Sequence, residues 1–101
     1  MARPTTKSPK KPDTWELDLY VAGHNLKCKS AFANLKKICE KCLPGKYRIK
    51  VIDLLEKPQL ARSEQILAIP TLVKRYPLPL RKTIGDLSNE ERVLKGLDMP
   101  C

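Results

Sequence analysis

The chain has 101 residues, of which 42% are hydrophobic and 31% charged, a composition typical of one small globular domain. Its formal net charge of +9 at pH 7 favours acidic partners, but aromatic residues are only 5% and no stretch alternates basic with stacking side chains. We therefore expect a solvated positive surface rather than nucleic-acid binding. No apolar stretch approaches the roughly 20 residues of a membrane span, so we expect no membrane partner, a cytoplasmic location and mostly reduced cysteines.

The first half of the chain is strongly patterned. Residues 1–14 contain three prolines and four basic residues, which predicts a disordered arm before a single domain at 15–101. Trp15–Ala22 alternates apolar and polar residues with the period of a strand. About Leu26–Leu43, apolar residues recur at three- and four-residue spacings, which predicts a helix. Tyr47–Leu55 is a second strand that ends almost continuously apolar, as buried parallel strands do.

The second half has shorter elements. Pro58 suits the first turn of a helix through about Leu67. Short strands are predicted at Ile69–Val73 and Arg81–Gly85. Ser88 and Glu91 have the spacing of a capping box. A last helix then runs through three apolar residues, Val93, Leu94 and Leu97.

The order β-α-β-α-β-β-α is that of an α/β, thioredoxin-like fold. The run Ile69–Leu72 resembles the segment of thioredoxins that contains a cis proline. Because a cis bond before proline costs only about 0.5–1 kcal/mol, we expect that Pro70 can be cis.

The redox chemistry of a thioredoxin needs a low-pKa cysteine at the start of its first helix. If Cys28 takes the place of the resolving cysteine, Asn25 occupies the place of the nucleophile, and an amide cannot attack a disulfide. Cys39 and Cys42 have C-x-x-C spacing but lie at the C-terminal end of the helix, where the dipole raises a thiol pKa. A redox protein that uses Cys28 or the Cys39/Cys42 pair stays open as an alternative.

Other chemistry has little support in the sequence. A zinc site would need His24, Cys28 and Cys101 to converge without motif spacing. The phosphate-binding, dinucleotide-binding and zinc-protease motifs are absent. We therefore expect structural cysteines, no metal or cofactor, no catalytic residues and no enzymatic activity.

From Trp15 to Asp98 the sequence resembles the KaiB family of circadian clock proteins. Six segments carry the resemblance: Leu19–Gly23, Val51–Leu55, Lys57–Ala61, Ile66–Leu72, Ile84–Asn89 and Val93–Asp98. The resemblance implies a regulatory protein without activity of its own that binds the N-terminal ATPase ring of a KaiC-type hexamer. In systems that contain KaiA, the complex captures it. A sensory module like the KaiB-like domain of a clock-output histidine kinase is a further alternative.

Residue roles follow from the same resemblance. Lys50, Lys57, Pro58 and Gln59 are the implied partner-binding residues. The family is also metamorphic: an alternative fold keeps the first βαβ unit, rearranges the second half and associates as a resting homo-oligomer, a dimer or tetramer. The implied fold-switch positions are Pro70, Gly96 and Asp98. The long basic arm and the missing acidic tail favour a homologue outside the core cyanobacterial oscillator, in timing or stress adaptation.

Overall fold

The computed structural model describes residues 14–23 and 25–101, so His24 and all of the predicted arm except Thr14 lie outside the described residues. Seven elements follow one another in the predicted order. They are β1 (Trp15–Val21), α1 (Leu26–Cys42), β2 (Tyr47–Asp53), α2 (Gln59–Ser63), β3 (Thr71–Tyr76), β4 (Arg81–Ile84) and α3 (Glu90–Leu97).

The four strands form one mixed sheet in the order β2-β1-β3-β4. β1 pairs in parallel with β2 and antiparallel with β3, and β3 pairs antiparallel with β4. Among the described strands, β2 therefore has a neighbour on one side only. The prediction of a buried strand at Tyr47–Leu55 is wrong in part, because Val51 of this edge strand is 49% exposed and Leu55 beyond it is 71% exposed.

The core lies on both faces of the sheet because successive side chains of a strand point to opposite faces. On one face, Leu17 and Leu19 of β1 are buried in a cluster that includes residues of α1 and α3. On the other face, Tyr20 belongs to a smaller cluster against which Leu60 and Ala61 of α2 pack. The sheet thus separates α1 and α3 from α2.

Helix α2 is shorter than the helix predicted from Pro58 to about Leu67. It ends at Ser63, and the next turn passes through Gln65 with a φ of 56°. The amide of Ile66 then donates to the carbonyl of Ala61 at 2.8 Å. This turn directs Ile66 into the smaller core cluster. Because α2 has only a thin apolar stripe, burying Ile66 is favoured over continuing the helix.

Strand β3 begins at Thr71, two residues later than the predicted Ile69, and continues to Tyr76. The peptide bond between Ile69 and Pro70 is cis, as expected. Pro77 follows the strand directly, and proline has no amide hydrogen with which to extend the ladder.

The predicted cap of the last helix is displaced by one residue. Asn89, not Ser88, is the N-cap of α3, and its side-chain oxygen accepts from the amide of Arg92 at 3.1 Å. The amide of Ser88 instead donates to a carboxylate oxygen of Asp86 at 3.0 Å. Both residue types suit an N-cap, and the turn at Asp86 decides between them.

Candidate docking surface

The structure places the four predicted partner-binding residues on one continuous stretch of chain. Lys50 lies on the edge strand β2, Lys57 and Pro58 lie in the turn that follows, and Gln59 begins α2. All four are exposed. An edge strand presents unpaired main-chain groups along its free side, so the chain offers hydrogen-bonding groups next to exposed cations.

Exposed apolar side chains lie among these residues, and the sequence analysis did not assign them to the surface. Val51 and Leu55 are the two in this stretch. A groove of about 380 Å³ lies beside Val51 and is also lined by Phe32 of α1, which is 39% exposed. The apolar end of the predicted strand is the signal for these residues in the sequence, and it fits an exposed strand edge as well as a buried strand. The docking surface is defined here as the sheet edge and turn formed by Lys50, Val51, Leu55, Lys57, Pro58 and Gln59. Val51 lies on the α1 side of β2 and Lys50 on the α2 side, so the surface wraps around the edge of the sheet.

Asp53 holds the turn in the docking surface in place. One of its carboxylate oxygens accepts from the amide of Leu55 at 2.9 Å and from the amide of Gly23 at 3.1 Å. Its carbonyl accepts from the amide of Lys57 at 3.1 Å. The loops after β1 and β2 are therefore joined through one side chain, which fixes the positions of Leu55 and Lys57.

Helix α2 is held from the sheet side. Arg75 of β3 donates to a carboxylate oxygen of Glu64, directly after α2, at 2.6 Å, and to Asp18 of β1 at 2.9 Å. The ammonium group of Lys82 donates to the carbonyl of Glu64 at 2.7 Å. With only five residues and Pro58 as an N-cap that makes no side-chain capping bond, α2 depends on these contacts for its position.

The charge of this region is mostly positive. Lys50, Lys57 and Arg62 are exposed, and Glu56 is an exposed acid among them. The conformation of this surface is stabilised by the hydrogen bonds of Asp53 and by the contacts of α2 with Arg75 and Lys82. A partner with acidic groups around an apolar patch complements this arrangement.

The three predicted fold-switch residues all lie against β4 or against Gly85, the glycine that follows it. The carbonyl of Pro70 accepts from the amide of that glycine at 3.0 Å. Gly96 of α3 lies opposite Thr83: a Cβ atom placed on this glycine would be 3.9 Å from the Thr83 side chain. Asp98, which ends α3 with a φ of 55°, accepts from Arg81 at 3.1 Å. The structure therefore gathers these positions around one strand, away from the docking surface.

The first helix begins without a thioredoxin-type nucleophile. Asn25 is its N-cap, and the side-chain oxygen accepts from the amide of Lys27 at 2.7 Å. Cys28 is a free thiol with 3% exposure. The residue in the nucleophile's place thus caps a helix.

The Cys39/Cys42 pair does not form. Cys42 is bonded instead to Cys101, so the expectation of mostly reduced cysteines is wrong for these two residues in this structure. Cys39 is a free, fully buried thiol, and burial raises its pKa to about 12, with a smaller contribution from the neighbouring charge of Glu40. A thiol with this pKa is a poor nucleophile at neutral pH.

Within residues 14–23 and 25–101, no group of three or more histidine, cysteine, aspartate or glutamate side chains is arranged to hold a metal ion. No helix in those ranges has the length and apolar character to cross a membrane.

The mixed sheet in the order β2-β1-β3-β4 and the helices on both its faces define a thioredoxin-like protein. Solved structures agree on the fold. The N-terminal domain of SasA from Synechococcus elongatus superposes with a TM-score of 0.71 at 22% identity, covering 94% of each chain. Mitochondrial thioredoxin 3 from Saccharomyces cerevisiae gives 0.66 at 26% identity, covering 88% of this chain and 80% of the other.

The chain belongs to the KaiB family. The KaiB domain model matches residues 18–99. The circadian clock oscillator protein KaiB of Synechococcus elongatus is 52% identical over 92 residues, which cover 91% of this chain and 88% of the relative. The circadian clock protein KaiB3 of a Synechocystis strain is 46% identical over 83 residues, covering 82% and 81%. The family and thioredoxin-like fold predicted from the sequence are confirmed.

Proposed function

We propose that this protein is a regulatory protein of a circadian or related stress-adaptation system, and that it docks onto the N-terminal ATPase ring of a KaiC-type hexamer through the docking surface. It acts in the cytoplasm and has no catalytic activity of its own. Where a KaiA protein is present, the complex captures it. Membership of the KaiB family supports the class of function.

The observation that carries the proposal is the exposure of Val51 and Leu55 at the same sheet edge and turn that carry the exposed Lys50 and Lys57. Burying an apolar side chain against a partner contributes about 1.5–3 kcal/mol. The lysines add attraction to acidic groups and set the orientation of approach. Asp53 fixes the surface before binding, so little conformational entropy is lost when the partner binds.

Analytical gel filtration with a purified KaiC-type ATPase tests the proposal. We expect co-elution in at least one nucleotide state, with affinity reduced about 10-fold or more by Lys57→Glu. Lys95→Glu is the matched control, because Lys95 is an exposed lysine of α3, which packs beside β4 at the edge of the sheet opposite β2. Absence of a complex with every nucleotide, or equal losses in the two variants, contradicts the proposal.

The proposal includes a second fold and a resting homo-oligomer, a dimer or tetramer. Two packings of one sequence can interconvert when they differ by only a few kcal/mol. The grouping of Pro70, Gly96 and Asp98 around β4 supports this part, since rearranging β4 disturbs the contacts of all three. Light scattering measures the oligomeric state, and NMR counts the folds. A single set of amide signals from a monomer at all concentrations contradicts it.

A further inference from the structure

A covalent link joins the end of α1 to the segment that follows α3. Cys42 and Cys101 are separated by 59 residues in sequence, yet their Cα atoms are 4.9 Å apart. Disulfide-bonded cysteines usually have Cα separations between about 4.4 and 6.8 Å. The Cα separation is therefore ordinary for a disulfide between these two segments.

Non-covalent contacts also hold the two segments together. Leu97 and Met99 are buried in the larger core cluster with α1. The amide of Met99 donates to the carbonyl of Leu94 at 2.9 Å, which turns the segment after α3 back along the helix. Lys41, next to Cys42, pairs with Glu90 of α3 at 2.7 Å. These exposed ions contribute little alone, so α1 and the end of α3 are held together by the buried apolar side chains and by the disulfide.

The other two cysteines differ from this pair in their access to solvent. Cys101 is exposed and Cys42 is half-buried, so a thiol in solution can reach their bond. Cys28 and Cys39 are buried and free. The raised pKa of Cys39 leaves almost no thiolate at neutral pH, so the thiol one helical turn from Cys42 does not compete for its sulfur.

We propose that Cys42 and Cys101 form a reversible cross-link, opened and closed by thiol–disulfide exchange with a low-molecular-weight thiol such as glutathione. This cross-link controls how firmly α3 is attached to α1. Nothing in this inference depends on the ATPase partner. In a reducing compartment, disulfides are usually transient, catalytic or redox-sensing. Buried structural disulfides resist reduction by glutathione in such a compartment, whereas an exposed disulfide can be reduced.

The exchange proceeds in two steps. A glutathione thiolate attacks the sulfur of Cys101, the bond between the two protein sulfurs breaks, and Cys42 leaves as a thiolate that takes a proton from water. A second glutathione thiolate then attacks the glutathione sulfur of the mixed disulfide, and Cys101 leaves as a thiolate and is protonated. The protein disulfide is thereby reduced by two electrons, and two glutathione molecules are oxidised to one glutathione disulfide. Closure is the reverse reaction.

The open and closed forms should differ in stability. Closing a loop of about 60 residues restricts the unfolded chain, and the effect grows with loop length. For a domain of about 100 residues, we expect reduction to lower the melting temperature on the order of 10 °C. We also expect amide exchange in α3 and residues 98–101 to accelerate by about 10-fold or more.

The experiment equilibrates the full chain with glutathione and glutathione disulfide at a series of ratios. Free thiols are counted by maleimide–polyethylene glycol labelling after denaturation, and melting temperature and amide exchange are measured on the same samples. Cys101→Ser is the test variant, because Cys101 is exposed and its loss should not disturb the core. Cys28→Ser is the control, because Cys28 is a free cysteine outside the cross-link.

The expected result is a change between two and four free thiols in the wild type, accompanied by the shifts in melting temperature and exchange. Cys28→Ser should keep this redox dependence even if its overall stability is lower. Cys101→Ser should have the reduced form's melting temperature at every ratio. Four free thiols at all ratios, a Cys39–Cys42 bond, or redox forms with equal melting temperature and equal exchange in α3 would overturn the proposal.

Discussion

Arg75 and Glu64 form an ion pair with 2.6 Å between the guanidinium nitrogen and the carboxylate oxygen, and this pair attaches α2 to the sheet. The same guanidinium donates to Asp18 at 2.9 Å and to the hydroxyl of Tyr20 at 2.6 Å. One side chain of β3 therefore connects β1 and the end of α2. Since α2 begins within the docking surface, its position on the sheet bears on docking.

Arg75→Lys should detach α2 in part, because one ammonium group cannot reproduce the fork that meets all three partners. The side chains are partly exposed, so we expect a loss of about 1–2 kcal/mol of unfolding free energy. Hydrogen exchange should accelerate in Gln59–Ser63. Arg81→Lys is the control, since Arg81 pairs with Asp98 on the surface and its replacement should cost less than about 0.5 kcal/mol. Equal effects of the two variants would argue against a special role for Arg75.

Leu55→Ser should weaken docking without weakening the fold. The side chain of Leu55 is 71% exposed, so its truncation should change the unfolding free energy by less than about 0.5 kcal/mol. If it is buried against the ATPase, its loss should reduce affinity about 10-fold. Calorimetric titration measures affinity and chemical denaturation measures stability. Unchanged affinity would remove Leu55 from the docking surface.

Gly23→Ala should move Leu55. Gly23 has a φ of 65°, and a Cβ atom there would lie 2.9 Å from the δ1 carbon of Leu55, an exposed and movable group. Gly45→Ala is the control, because Gly45 has a φ of 73° and no described atom lies within 4 Å of the added methyl. Each left-handed alanine should cost about 1–2 kcal/mol of stability. Only Gly23→Ala should also lower the affinity for the ATPase, as measured by calorimetric titration. An equal loss of affinity in both variants would contradict a role for the position of Leu55 in docking.

Gly96→Ala should stabilise α3. The added methyl meets Thr83 at 3.9 Å, an ordinary contact, and alanine is favoured over glycine in a helix by about 1 kcal/mol. The thioredoxin-like form should gain relative to any alternative fold, and NMR peak intensities measure that ratio. A lower melting temperature, or unchanged populations of two folds, would show that the helix penalty is not what sets the balance.

The thiol of Cys39 should be inert in the native protein. Burial raises its pKa from 9.0 to about 12, so this neutral thiol stabilises the fold below about pH 9, and the contribution is lost as pH rises toward 12. In reduced protein at about pH 8.5, iodoacetamide should modify exposed Cys101 well before Cys39. Mass spectrometry of the digested protein measures the order. Modification of Cys39 at the rate of Cys101 would contradict its burial.

The first half of the fold was predictable because its patterns are long. The alternation in Trp15–Val21 and the helical spacing in Leu26–Cys42 each give several consistent signals, and both elements lie within a residue of their predicted bounds. The end of α2 was not predictable, because it depends on Ile66 reaching a core cluster built from distant strands. Local sequence does not contain that contact.

The docking surface was predictable only in its polar part. Lys50 and Lys57 were assigned by position in the family, and the structure exposes both. Val51 has the same sequence pattern whether its strand is central or at an edge, and only the strand order separates the two cases. The bond between Cys42 and Cys101 was missed for a similar reason, since a spacing of 59 residues matches no local motif.

In the proposed mode of docking, the ATPase contacts the edge strand β2 and the turn into α2. A comparison of amide hydrogen exchange in the free chain and in the chain saturated with a KaiC-type ATPase tests it most directly, residue by residue. We expect slower exchange across Tyr47–Ser63, with little change on the outer side of α1. Protection confined to α1 or α3, or no protection at a concentration where a complex elutes, would contradict it.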